Sequence, residues 1–552
     1  MNESKVMLLV FLTVISLCAF NAQPVKSQDV GIIYIQSDGS VVTSTNLTVP
    51  IQRVGDIYTF TDNIESYYLV VQRDNIVVDG AGYSLSGEGE AGIYLESRSN
   101  VTIKDMQIEG FFYGIYVWNS SSNTITGNTL VYNGYGIYIL AASQNAIIGN
   151  NATGNDIGIN IEASSNNVLR NNIMNNNHNL AVYGSEPQHF DQDIDVSNIV
   201  NGKKVYYLIS ESNLVIGPST FPDVGYLALV NCQNITVNDL ELVNNGHGLL
   251  LAYTTGSTIT QNDIKDNYGG IGLFASTGNF IVGNNIMNNY RGIQLSNSSN
   301  TNSISANNIA DNTNGIFLFD SFQNLFVANN ITNNNSGIGV KGSSSNVIRG
   351  NYFINNEKQV YDAYVDDESV TMSTNIWDFS YQAGGNYWSD YTGVDVKSGA
   401  GQNQTGSDGI GDTAYIINTK NKDNFPLMPY GSPAAISIVS PQNKTYTVNS
   451  VSLTFTVSET TTWTGYSLDG QANVTVTGDA TLSGLAESVH RLTVYATDTD
   501  GNESSETVYF TIGQGAEPPQ SESFPITWIA AAIGAVAVVG VALIYFLKIK
   551  KK

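Results

Sequence analysis

A short phrase recurs along this chain at intervals of 22 or 23 residues, with one first interval of 25: an Asn, two or three β-forming residues, then Gly-Asn or Asn-Asn. It reads NTITGN at 123–128, NAIIGN at 145–150, NFIVGN at 279–284, NLFVAN at 324–329 and NVIRGN at 346–351. Its first residue falls at Asn75, Asn100, Asn123, Asn145 and Asn167, then, after a gap of 67 residues, at Asn234, Ser257, Asn279, Asn302, Asn324 and Asn346. A second phrase follows each Asn by 13 or 14 residues, as in Gly114-Ile115, Gly136-Ile137, Gly270-Ile271 and Gly337-Ile338. One such unit holds short apolar strands split by Asn, Gly and Ser corners, and it cannot bury its apolar face alone. Stacked units bury a continuous Ile/Val/Leu core and pair each backbone with the coils above and below. The period therefore predicts an all-β chain whose body, residues 75–356, is a right-handed parallel β-helix. Its coils are about 4.8 Å apart. Asn suits the corners because it tolerates left-handed φ, and stacked Asn side chains can hydrogen-bond along the rod. Leucine-rich repeats share the period but need a helical arc, and no amphipathic run of helix length is present.

The long gap is expected to hold degenerate coils plus an insert near 184–226, with Ser185–Gly202 as the excursion from the stack. Open ends of such a solenoid invite edge pairing and need caps. Residues 28–74 are expected to cap one end and residues 357–430 the other.

The two ends of the chain point to export. Residues 1–27 read as a signal peptide, with Lys5 before the apolar run Val6–Phe20. Residues 524–547 contain IAAAIGAVAVVGVALIYFL, long enough to span a bilayer, and residues 548–552 are basic. The positive-inside rule then places that tail in the cytoplasm and the N-terminal part outside, as a single-pass cell-membrane protein. Asn-X-Ser/Thr acceptors agree with an exterior location; they stand at Asn46, Asn100, Asn119, Asn151, Asn234, Asn297, Asn330, Asn334, Asn403, Asn443, Asn473 and Asn502. Cys18 lies in the leader, which leaves Cys232 alone and without a disulfide partner. Between the solenoid and the membrane, residues 433–513 alternate apolar and polar with turns at Gly470, Gly478, Gly484 and Asp500-Gly501. This predicts an Ig-like or fibronectin-like β-sandwich, followed by a Pro/Gly/Ser linker at 514–523.

The net charge of −25 makes nucleic acid a poor partner, because phosphate binding needs clustered Lys and Arg. Cations, neutral glycans and basic partners remain. The strongest metal candidate is the acidic segment that holds Asp390, Asp395, Asp408, Asp412 and Asp423, with Gly409 and Gly411 between two of them. Carboxylates on Gly-permitted turns suit calcium; the alternative is acidic turns that cap their own backbone. In HFDQDID, Asp191, Asp193 and Asp195 alternate, which would put them on one face of a strand. Asn-Gly-His247-Gly is similar to a polygalacturonase motif, but it lacks the paired aspartates and the Arg-x-Lys. His247 aligns with Tyr113 and Tyr135 in the repeat, which reads as a corner residue.

The coils, the segment VNGKKVYYLI at 200–209 and GGNYWSDY…DGIGDTAYII…DNFPLM within 384–428 resemble the NosD-type β-helix family, named for a periplasmic copper-binding protein. The resemblance covers residues 28–430 and implies a right-handed β-helix on an exported protein of the kind common on archaeal surfaces. Copper is not carried over. Its sites favour His, Cys and Met, and here His178, His189, His247, His490 and Cys232 lie scattered through different segments. The expected function is a membrane-anchored surface scaffold or adhesin that binds glycans or envelope polymers, since no complete catalytic set is present. The alternatives are a carbohydrate-active lyase or hydrolase on the same fold and a metal-delivery accessory.

Overall fold

The computed structural model describes residues 30–363, 372–406, 408–428, 436–457, 461–498 and 503–513. The expected signal peptide, linker, apolar membrane segment and basic tail lie outside these residues. Among the described residues, no helix is long and apolar enough to cross a membrane. Two compact units divide at Met428/Pro429.

The first unit is a parallel β-solenoid. Each coil contributes one long strand and two short ones, so that three sheets run along each segment, and one of them, 15-stranded, is common to both. Register is kept residue for residue: Ile115 pairs with Ile93 and Ile137, and Ile125 with Ile103 and Ile147. This follows from the inward Ile positions, which are fully buried in every coil. A slip of one residue would turn them all outward. The second phrase's glycine is also a packing requirement. A Cβ on Gly114 would lie 2.6 Å from the carbonyl oxygen of Gly136.

At each corner the phrase asparagines form buried ladders. The Asn284 side-chain amide donates to Asn307 Oδ1, Asn307 donates to Asn329, and Asn329 to Asn351. Each amide also reaches back to a carbonyl in the coil below, as Asn307 does to Ile281. Corner polar groups that water cannot reach are thereby satisfied inside the protein. Asn334, one of the sequence-level glycan acceptors, is such a ladder residue and is 2% exposed.

Within residues 28–74, expected as a cap, the strands between 31 and 71 already supply rungs of all three sheets of the first segment. The end is closed by two antiparallel hairpins, in which Gly31–Ile35 pairs with Val41–Thr43 and Ile51–Val54 with Ile57–Phe60. At the other end Trp388 stacks on Phe353, with ring centroids 4.5 Å apart, and Tyr415 stacks on Trp388 at 4.3 Å.

The stretch expected as an excursion is instead the joint of the solenoid. Pro187–Phe190 forms one 3-10 turn, and Asp193–Ile194 and Ile199–Val200 complete the top coil of the first segment. At Asn201-Gly202 the chain then reverses, and Lys203–Ile209 pairs antiparallel with Ile199–Val200. From there a second run of coils grows on the same 15-stranded sheet. The side chains show on which side. Leu249 and Leu251 point into the second core, whereas Leu250 and Ala252 join the first core. The coils of the two segments thus lie on opposite sides of a shared sheet. Leu250, Ala252 and Phe274 close the end of the first core against Phe190, with the Phe190 and Phe274 rings 5.5 Å apart.

The second unit has a three-stranded and a five-stranded sheet, almost wholly antiparallel. Val451, Leu453 and Leu482 from one and Leu492, Val494, Phe510 and Ile512 from the other share one apolar core.

Candidate functional site

In the first segment the outward positions of the long strands carry tyrosines in place of the usual polar residues. Tyr94, Tyr116 and Tyr138 stand on consecutive rungs of one column, and Tyr113 and Tyr135 on another. The rungs bring their rings into contact. Tyr116 and Tyr138 stack with centroids 5.4 Å apart and planes 10° from parallel. Tyr113 and Tyr135 each lie 5.1 Å from Tyr138, and Tyr94 tilts against Tyr116 at 5.4 Å. Phe112 and Trp118 extend this ledge and are 48% and 39% exposed.

Carboxylates border the rings. The Tyr138 hydroxyl donates to Glu162 Oε2 at 2.6 Å, and the Tyr94 hydroxyl to Glu96 Oε2 at 3.3 Å. Burial pushes the Tyr113 and Tyr116 hydroxyls up to about 12. Burial and the adjacent Glu96 do the same for Tyr94, to about 12. Burial also raises the Glu162 carboxyl, against the opposing bonds from Tyr138 and Asn160. The ledge therefore keeps neutral phenols as donors beside carboxyl acceptors, on a flat, partly apolar surface. Such a surface can contact C–H faces and bond hydroxyls at the same time. The signal for it lay in the sequence as Tyr recurring every 22 residues at 94, 116 and 138. The repeat phrases do not include this series; they place only Tyr113 and Tyr135, as corner residues.

The acidic segment does not converge on one point. Asp390 is exposed and accepts from the Tyr415 hydroxyl at 3.1 Å. Asp395 accepts the backbone N–H groups of Asp408 and Gly409. Asp408 accepts from the Tyr381 hydroxyl and the Gly399 N–H, and Asp412 from the Lys397 N–H. Asp423 is fully buried and accepts from the Asn386 N–H at 2.6 Å and from Trp388 Nε1 at 2.9 Å. In the insert, Asp193 and Asp195 both pair with Arg170, at 2.6 and 3.1 Å, and Asp191 is exposed.

The soft-metal donors are equally dispersed. His247 is 1% exposed and its ring packs against Tyr183 and Phe274. His178 packs against Tyr268. His189 Nδ1 accepts from the Ser185 and Glu186 N–H groups. His490, in the second unit, bonds Asp469 and the Ala486 carbonyl. The buried Cys232 thiol donates to backbone carbonyls. Among the described residues, no three His, Cys, Asp or Glu side chains are grouped so as to hold a metal ion. These donors do not fit a copper centre.

Parallel register on three sheets, with ladders at the corners, defines a parallel β-helix protein. The chain belongs to the NosD family, described as periplasmic copper-binding protein, whose model matches residues 15–206 and again 192–393. It is also similar to halomucin of Haloquadratum walsbyi, with 29% identity over 163 residues; the match covers 28% of this chain and 2% of halomucin. Among solved structures, a periplasmic alginate epimerase, AlgG, shares 15% identity over 57% of this chain and 69% of that one, with a TM-score of 0.20. The Dettilon tailspike protein shares 13% over 78% and 72%, with a TM-score of 0.22. At such scores these likenesses add nothing to the fold read from the strand register.

Proposed function

We propose that this chain is a cell-surface scaffold whose solenoid binds a hydroxyl-rich polymer, a glycan, along the tyrosine ledge. The observation that carries the reading is the run of stacked tyrosines bordered by Glu96 and Glu162 on an outward face. In this reading the second unit is an Ig-like stalk, and the apolar segment 524–547 anchors the chain with its solenoid outside the cell. The cap carboxylates serve as acceptors for backbone and ring donors. Calcium is then not needed to hold the cap, and adding calcium or EDTA should leave the melting temperature unchanged; a calcium-dependent rise would return these residues to a ligand role.

An enzyme reading has one point in its favour, the half-buried Glu162 carboxyl bonded to Tyr138. Incubation of the full-length protein with a panel of neutral and acidic polysaccharides, followed by size-exclusion chromatography, separates the two. Co-elution with intact polymer is expected. Shortened polymer would make the chain a lyase or hydrolase, and the absence of both co-elution and shortening across the panel would overturn the glycan-binding role.

A further inference from the structure

The outer face of the long sheet in the second segment differs in charge from the rest of this acidic protein. Beyond the two rungs that close the first core, its strands Arg291–Ser296, Asn314–Phe319 and Ser336–Lys341 contain no Asp or Glu. They carry Arg291 and Lys341, and the next rung adds Lys358. None of the three cations forms an ion pair with a carboxylate among the described residues. Each lies against a ring instead: Arg291 is 4.6 Å from the Phe317 centroid, Lys341 is 5.7 Å from that of Phe319, and Lys358 is 5.2 Å from that of Tyr361. The carboxylates bordering the face are Asp320, Glu357 and Asp362. Asp362 is buried and accepts the Ser373 N–H.

One column of this face also concentrates unused hydrogen-bonding capacity. His247, Gly269, Arg291, Asn314, Ser336 and Lys358 follow one another in register, rung by rung. Of the seven buried side-chain polar atoms left without a partner among the described residues, three fall in this column: His247 Nδ1, Arg291 Nε and Ser336 Oγ. Arg291 Nη1 donates to Gln294 Oε1. The Arg291 Nε is buried without a partner among the described residues, and the guanidinium keeps the planar donor fork that suits an oxyanion. The column reaches the first segment at Tyr183, in register with Glu162 on the next rung, where the His247 and Tyr183 rings are 4.9 Å apart.

We propose that this face binds the carboxylate groups of an acidic polysaccharide, a polyuronate, with Arg291 as its central contact. The rungs are about 4.8 Å apart, close to the advance of one sugar ring in an extended chain. An acidic chain laid along the axis would meet ring faces and cations in turn. The inference rests on the glycan reading above and adds the charge class of the sugar.

The test measures binding of the full-length protein to polygalacturonate and to its methyl ester, which keeps the sugar backbone and removes the charge. Dextran and dextran sulfate form a second pair. The wild type is expected to favour polygalacturonate over its ester by about tenfold, the loss typical of one charge-assisted contact. Arg291→Gln should abolish that preference while leaving ester binding intact. Asn314→Asp places a carboxylate on the rung next to Arg291 and should abolish it also, which guards against a Gln variant that misfolds. Equal affinity for the acid and the ester in the wild type, with the ester bound, overturns this inference alone. No binding to any polymer overturns the glycan reading with it. Preference for dextran sulfate without preference for polygalacturonate overturns the carboxylate assignment. Self-association of the chain that Arg291→Gln removes would assign the face to a second copy and overturn the proposal.

Discussion

Asn307 shows how much of the solenoid's specificity sits in single amides. Its side chain donates to Ile281, Ser305 and Asn329, and its Oδ1 accepts both the backbone N–H and the amide of Asn284. Asn307→Ala strands the buried Asn284 N–H, while the Asn284 amide keeps the Ile259 and Val282 carbonyls, and should cost about 2 kcal/mol or more. Asn308→Ala, in the neighbouring half-buried column, should cost under about 1 kcal/mol. Hydrogen exchange of the adjoining coils separates the two. Asp423 gives a prediction about pH. Burial raises its carboxyl to about 6 despite the bonds from Asn386, Trp388 and Phe425. The folded state thus holds a proton that the unfolded state has already released above about pH 4. Stability from this group is therefore highest below about pH 4 and falls as pH rises to about 6, by roughly 2–3 kcal/mol. Asp423→Asn should flatten the melting temperature across that window. The ladders were legible in the sequence, because Asn recurs at a fixed corner. The setting of Asp423 was not, since its partner Asn386 lies 37 residues away, outside any repeat.

At the scale of elements, the coil period set strand positions and faces but not the direction in which a strand pairs. Asn201 and Gly202 have φ of 49° and 77°, and they join two strands through a two-residue loop. Asn-Gly is the residue pair such a hairpin favours. The sequence reading saw VNGK as part of an excursion, because no repeat phrase flanks it. Gly202→Val would force a β-branched residue into the left-handed region and should cost about 1–3 kcal/mol. Gly202→Asn should be tolerated. Comparing urea midpoints of the two checks this, and equal loss in both would deny the turn its role. The reversal also explains why the repeat stops for 67 residues without a loop of that length. The coils there follow the shared sheet's own geometry, with Tyr207, Tyr226 and Ala228 facing one core and Tyr206, Leu227 and Leu229 the other.

At the scale of the molecule, the inward residues of each coil are fixed by the core, whereas the outward ones are free to vary. The fold was therefore readable from the inward phrase, and the ledge was not. Tyr116 and Tyr138 break no rule of the solenoid and are conspicuous only once stacked side by side. The same freedom lets a chain with a net charge of −25 carry one sheet face of cations and rings. The central claim is that the tyrosine ledge binds a glycan. Its most direct test is equilibrium binding of the full-length protein to neutral polysaccharides, compared with Tyr116→Ala and Tyr135→Ala. Loss of one stacking ring in a contact surface is worth about 1–2 kcal/mol, so each variant should bind roughly ten times more weakly at an unchanged melting temperature. Equal affinity in wild type and both variants would contradict the account.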